Sequence, residues 1–266
     1  MRARLLLVLL FVAVLVPFGF PLRDVAVSLP EQDGPDYSLY EISPELPRVA
    51  DGSMVLSHAG FALLYDDAYR QARWVAYELT RDETSGRFKR TDRFMPDPLA
   101  SQGTASDADY LRSGYDRGHL APAADMGWSE VAIAESFYYS NISPQTPGFN
   151  RGIWKRLEER VRDWAIEYDA VYVVTGPVLT PGAPVIGPDR VAVPAYFFKV
   201  LLDFRGQSVK GIGFILPNAS SSLPLTHFAV PIDSVERVTG IDFFPWFSPE
   251  QEQLAEGAVC LPCWSW

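Results

Sequence analysis

Between Arg151 and Tyr168 the apolar residues fall at helical spacing, and this one amphipathic stretch limits the chain to folds that offer it a core. At about 100° per residue, Ile153, Trp154, Leu157, Val161, Trp164, Ala165 and Tyr168 gather on one side. Arg151, Lys155, Glu158 and Arg162 form a second stripe along the border. Apolar or alternating runs at Phe61 to Tyr65, Trp74 to Leu79, Val171 to Val174, Tyr196 to Phe204 and Val209 to Leu216 are each bounded by Gly, Pro, Asp or Asn and read as strands. Helical spacing is weaker at Glu130 to Tyr139 and Pro231 to Thr239. Helices and strands do not alternate regularly, which predicts an α+β fold with a central mixed or antiparallel sheet and flanking helices rather than a βαβ array.

The chain has 266 residues, 48% hydrophobic and 13% aromatic, ample for a packed core and against disorder throughout. Asp and Glu number 33 against 23 Lys and Arg, a formal charge of −10, so the overall field repels a polyanion. Basic residues are nonetheless concentrated: Arg112, Arg117, Arg151, Lys155, Arg156, Arg160 and Arg162 fall close together in sequence, while Glu31 to Glu45 and Glu250 to Glu256 are acidic. An acidic body with a local basic cleft would bind a phosphate chain in a steeply salt-dependent way. A solvated helix face would carry the same charges.

Four segments follow. In residues 1–22, Arg2 and Arg4 precede an apolar run from Leu5 to Val16, which Pro17, Gly19 and Pro21 interrupt. This is the pattern of an export signal, predicting a periplasmic, extracellular or outward-facing anchored protein. The uncharged stretch to Leu22 is marginal for a membrane anchor, and no clear cleavage site follows. Residues 23–50 are polar and read as a linker, 51–250 as the folded domain, and 251–266 as a tail. The tail carries Cys260 and Cys263 three apart, predicting a local disulfide or two free thiols; too few ligands lie nearby for zinc.

Asp116-Arg117-Gly118-His119, followed by Asn150 at the head of the helix bearing Glu158, carries the chemistry. Histidine can accept a proton from water near neutral pH, arginine matches phosphate in charge and fork geometry, and an amide oxygen suits a hard divalent cation. These residues point together to phosphodiester hydrolysis. Each also has a plain structural alternative: Asn150 as a helix N-cap, Glu158 and Arg162 as an i,i+4 ion pair. His58 and His227 read as packing or surface residues, as do Phe137, Tyr138 and Tyr139, although aromatics there could stack bases.

The ordered segments Tyr115 to Met126, Tyr139 to Glu158, Val173 to Val178, Val193 to Val200 and Thr239 to Pro245 resemble the sugar-nonspecific DNA/RNA endonucleases of the ββα-metal class. The resemblance spans about residues 55 to 250. It implies a ββα-metal motif with histidine by a β-hairpin and asparagine on the following helix, and the substrates it implies are DNA and RNA, held through the phosphate backbone. Under it His119 is the general base, Arg117 binds the scissile phosphate, and Asn150 is the direct protein ligand of Mg²⁺, or of Mn²⁺ in its place. Glu158 then acts on the ion through water. Arg93 and Arg162 are weaker candidates for flanking phosphates, Asn141 positions substrate or supports the histidine loop, and Asp116 orients the motif backbone or pairs with Arg117. A homodimer is left open. Two other functions fit the same residues: a noncatalytic nucleic-acid-binding or anchored protein on this scaffold, and a phosphodiesterase of small nucleotides. No helix-turn-helix or zinc-finger pattern predicts base readout.

Overall fold

The computed structural model describes residues 43–50, 53–205 and 209–266. The export segment and most of the linker lie outside these. In chain order the elements are β1 (Val55–Ser57), β2 (Ala62–Asp66), β3 (Gln71–Thr80), α1 (Asp107–Tyr110), β4 (Asp116–His119), α2 (Glu130–Glu135), β5 (Ile142–Gln145) and α3 (Lys155–Tyr168). Then come β6 (Ala170–Pro177), β7 (Val185–Ile186), β8 (Val191–Ala192), β9 (Tyr196–Asp203), β10 (Lys210–Pro217), β11 (Ala229–Val230), α4 (Ile232–Thr239) and α5 (Pro249–Ala255). The fold is α+β.

A seven-stranded sheet in the order β1-β2-β3-β6-β9-β10-β11 forms the centre, and every neighbouring pair is antiparallel. Its central strands bury both faces, which is why they read as apolar runs. Side chains alternate across a strand, so Val75, Tyr77, Val173 and Leu201 face one core with Leu157, Val161 and Trp164 of α3. Trp74, Ala76, Val174, Val200 and Leu202 face the other, against Ile232 and Val235 of α4 and Phe243 and Phe244. The amphipathic stripe of α3 thus finds its core on one side of the sheet, and α4 caps the opposite side.

Both ends of the described chain pack onto this body. Leu46 is buried and the Trp246 indole donates to the Pro44 carbonyl at 2.7 Å, so the last part of the expected linker is docked. The expected boundary at 250 falls inside α5, and Trp264 is buried edge-on against Trp164 at 4.8 Å. Cys260 and Cys263 form a disulfide. Among the described residues no helix is long and apolar enough to cross a membrane.

The long helix begins later than its periodicity predicts. Phe149–Trp154 form a π-helical turn, Gly152 sits at φ −110° and ψ −107°, and regular α-helix runs only from Lys155. The cause is aromatic packing: Phe149 stacks on Trp154 and on Phe197, each at 5.1 Å, and glycine tolerates the resulting dihedral break. Asn150 therefore lies inside a widened turn, not at an N-cap. The weaker helix predicted to Tyr139 ends at Glu135, whereas α4 ends as expected, at Gly240 with φ +68°.

Candidate active site

β4 and β5 form a two-stranded antiparallel ribbon with Asp116 opposite Gln145 and His119 opposite Ile142. The π-turn and α3 follow it, completing a ββα unit. Gly118 is required by space rather than by backbone angle, since a Cβ there would lie 2.1 Å from Cδ of Gln145. Both polar atoms of the Gln145 side chain are buried without a partner.

Successive strand residues point to opposite faces, which separates Asp116 from Arg117. The expected pairing of the two is not formed. Asp116 instead takes Arg151 bidentately, Nη2 to Oδ1 at 2.6 Å and Nε to Oδ2 at 2.8 Å, and accepts from Asn150 Nδ2 at 2.9 Å. Burial alone would raise its pKa, but the hydrogen bonds from Arg151 and Asn150 outweigh this and hold the carboxyl below its usual range. With Nδ2 committed to Asp116, the Asn150 carbonyl oxygen is the side chain's open acceptor. Arg117 pairs with Asp107, which also accepts from the Tyr139 hydroxyl at 2.6 Å, and its guanidinium lies 4.1 Å from the Phe94 ring centroid.

His119 is only 8% exposed. Phe137 stands edge-on to it at 4.8 Å, Phe94 lies at 5.6 Å, and Nε2 has no hydrogen-bond partner. Burial, reinforced by the Arg90 and Arg117 cations and opposed by Asp92, pushes its pKa down to about 3. The ring is neutral at neutral pH and can accept a proton. Its loop is held by Asn141, which accepts from Ala121 N at 2.9 Å and donates to the carbonyls of Ala121 at 2.9 Å and Ser136 at 2.8 Å. Asn141 is fully buried, with these bonds bracing the histidine loop.

A cleft of about 740 Å³ opens beside the ribbon. It gathers four guanidinium groups, Arg90, Arg112, Arg117 and Arg151, with Asp92, Asp107, Asp116 and Asn150, and Arg90, Arg117 and Arg151 are ion-paired to Asp92, Asp107 and Asp116. Asn150 is thus tied from its turn to the ribbon that carries His119: it bonds to Asp116, three residues or roughly 10 Å along β4 from His119. Neither His119 nor Glu158 lines the cleft itself. His119 lies one layer deeper, close enough for Arg90, Asp92 and Arg117 to shift its titration.

Glu158 is half-buried on α3 and faces Lys199, Asp125 and Arg162. Burial pushes its pKa up to about 8, with Lys199 and Arg162 opposing and Asp125 adding. The expected Glu158–Arg162 bridge gives way to Arg162–Asp125 at 2.8 Å, because Asp125 is fully buried and also bound by the Tyr77 hydroxyl at 2.8 Å. Arg162 is thereby tied down rather than offered to a flanking phosphate. Arg93 is exposed and outside the cleft lining, because its neighbour Phe94 takes the inward place beside His119. Arg90, three residues earlier, lines the cleft instead, paired with Asp92. Lys155 and Arg160 pair with Glu159 and Asp163 on their own helix, and Arg156 donates to the carbonyls of Ser221 and Leu223.

His58 is a packing residue, bonded to Asp97 at 3.0 Å, and His227 packs against Phe228. Arg90, Asp107, Gln145 and Lys199 were not singled out by the sequence. Arg90 stands in a basic run with Arg87, Lys89 and Arg93 that offers no way to choose among them, and the other three gain meaning only from their neighbours in space.

The profile of the DNA/RNA non-specific endonuclease family matches residues 47–248. Bovine (Bos taurus) mitochondrial endonuclease G is 40% identical over 215 residues, covering 75% of this chain and 71% of that protein. The mitochondrial nuclease EXOG of Danio rerio is 37% identical, covering 77% and 64%, and a nuclease of Syncephalastrum racemosum is 37% identical, covering 72% and 68%. A crystal structure of an EndoG/EndoGI complex contains a chain that superposes with a TM-score of 0.73 at 32% identity, covering 84% of this chain and 98% of that one. With this ribbon, cleft and pattern of likeness, the chain belongs to the DNA/RNA non-specific endonuclease family and is a nuclease, a hydrolase of phosphodiester bonds.

Proposed function

We propose that this nuclease is a Mg²⁺-dependent, sugar-nonspecific endonuclease with His119 as general base, Mn²⁺ being the alternative ion. The observation that carries the reading is the Asp116–Asn150–Arg151 cluster. It commits one end of the Asn150 amide and leaves its oxygen open in the cleft that holds four arginines, with the neutral imidazole of His119 on the same ribbon one layer deeper. Those residues fit a magnesium ion, which takes few protein ligands and keeps most of its waters. When bound, the ion supplies Lewis-acid stabilisation of charge on the phosphate.

This chain's own groups do the rest. Asn150 holds the ion through its side-chain oxygen, and Asp116 fixes the direction of that oxygen. Arg117 binds the scissile phosphate, with Arg90 and Arg112 extending the phosphate track along the cleft. His119 Nε2, the unpartnered atom, takes the proton from the attacking water. Glu158, half-buried and outside the cleft lining, would act on the ion at one remove, through water. The guanidinium groups of the cleft suit the phosphate backbone, which supports cleavage of both DNA and RNA. The basic and apolar opening of the sequence, Arg2 to Val16, supports export of the protein, either free or anchored by that segment.

The experiment is digestion of plasmid DNA and of RNA by the purified chain, with magnesium and with EDTA. Both substrates should be cut only with the ion, and His119→Ala should keep its fold while losing about 10²- to 10⁴-fold in rate. Intact DNA and RNA after incubation with magnesium would refute the proposal. Cleavage of a small diester but of neither polymer would favour the small-nucleotide reading instead.

A further inference from the structure

A second group of oxygen ligands lies outside the cleft. Gly211 and Gly213 of β10 let the neighbouring helices come unusually close: a Cβ at Gly211 would meet the Ala255 carbonyl at 2.4 Å and Ile232 at 2.5 Å, and one at Gly213 would meet Val235 at 2.6 Å. The end of α5 is thus held at backbone distance from the sheet, and Glu256, the next residue, is driven inside. It is 1% exposed. Its backbone carbonyl accepts from Asp233 N at 3.3 Å, joining it to the start of α4.

Asp233 and Glu236 are three apart on α4 and so share a face. One carboxylate oxygen from each of Asp233, Glu236 and Glu256 lies within 4.8 Å of the other two. Glu236 Oε1 accepts from Phe243 N at 2.8 Å, but Glu256 Oε1 is buried with no hydrogen-bond partner at all. Glu252 and Asp242 add further negative charge to the same place, and Arg48 is bonded to Asp242. A buried carboxylate without a partner costs several kcal/mol unless it is neutralised. Burial and then the surrounding acids push Glu256 up to about 9, so without a countercharge it is protonated at neutral pH. Burial, opposed by the Phe243 N–H and aided by Asp242, Asp233 and Glu252, pushes Glu236 up to about 7.

We propose that Asp233, Glu236 and Glu256 form a calcium site that fastens α5 to α4, separate from the cation of the cleft. The donors are all hard oxygens with no sulfur or imidazole among them, which selects a hard cation. Calcium takes six to eight oxygens at roughly 2.3–2.6 Å, so donors up to about 5 Å apart can share one ion. Magnesium demands shorter octahedral bonds and usually accepts only one or two carboxylates. The site's role is to hold the C-terminal helix by charge where the apolar contact is small.

The test is thermal unfolding of the full-length Asn150→Ala chain, in which the cleft's proposed ligand is gone, in EDTA, in millimolar calcium chloride and in magnesium chloride. Calcium should raise Tm by several degrees and titrate to one equivalent by calorimetry, with magnesium far less effective. Adding Glu256→Gln should raise Tm in EDTA, because folding no longer has to protonate a group that is ionised in the unfolded chain, and should abolish the calcium response. Glu236→Gln, at a half-buried position, should abolish it too and serves if the first variant does not fold. An unchanged Tm in calcium, an equal response to magnesium, or a calcium response that survives both substitutions would overturn the site.

Discussion

Asp116→Ala isolates the part of the site that orients the proposed metal ligand. Asp116 accepts three hydrogen bonds, from Asn150 Nδ2 at 2.9 Å and from Arg151 at 2.8 and 2.6 Å. An alanine has no side-chain acceptor, so all three are lost. The Arg151 side chain is largely exposed, and its pairing contributes little to stability. The Asn150 bond is part-buried and reaches a charged acceptor, worth about 1–2 kcal/mol. For a domain of this size that lowers Tm by roughly 2–8 °C. The larger effect falls on cation affinity: with its NH₂ unanchored, the Asn150 amide samples orientations that turn its oxygen away. Loss of a group that orients a metal ligand typically weakens binding about 10- to 100-fold. In plasmid cleavage followed across a magnesium titration, half-saturation should move up by that factor while the rate at saturating magnesium returns to within a few-fold of the parent. If half-saturation stays put, or the rate falls equally at every magnesium concentration, Asp116 does not act through Asn150.

His119 titrates far below its ordinary value, so its linkage to folding has a definite sign. Between about pH 6.5 and pH 3 the unfolded chain binds a proton that the folded chain refuses, and stability falls as pH falls. By about pH 5 this one residue costs roughly 2 kcal/mol relative to neutral pH. Denaturant unfolding at the two pH values should show that loss in the parent and its absence in His119→Gln; equal losses in both would place the acid sensitivity elsewhere. Gly118→Ala should destabilise by about 1–3 kcal/mol, because its methyl would overlap the Gln145 side chain, and Gln145→Ala should restore most of the loss in the double variant. Independent, additive effects of the two substitutions would contradict the packing of β4 on β5.

The sequence exposes the sheet and the long helix because burial repeats along each: β3, β6, β9 and β10 bury both faces, and α3 presents one continuous stripe. It does not expose where α3 begins. That boundary is set by Phe149 stacking on Phe197, a residue far along the chain, and Gly152 absorbs the mismatch, so helical periodicity alone runs on through the break. The motif residues likewise announce their chemistry but not their partners. Asp116 next to Arg117, and Glu158 four before Arg162, are the pairs that sequence distance favours. Strand alternation forbids the first, and the buried Asp125 outcompetes the second. Each re-pairing places charge differently: Arg117 and its partner Asp107 both line the cleft, Arg151 and Asp116 hold Asn150, and Arg162 is held in the interior. The cleft sets Arg90, Arg112, Arg117 and Arg151 beside Asp92, Asp107 and Asp116, so three of its four guanidinium groups are already paired, and Lys155, Arg156 and Arg160 are taken up by helix neighbours and loop carbonyls. A count of basic residues along the motif therefore overstates the phosphate track on α3 and misses Arg90, which reaches the cleft from the segment before Phe94.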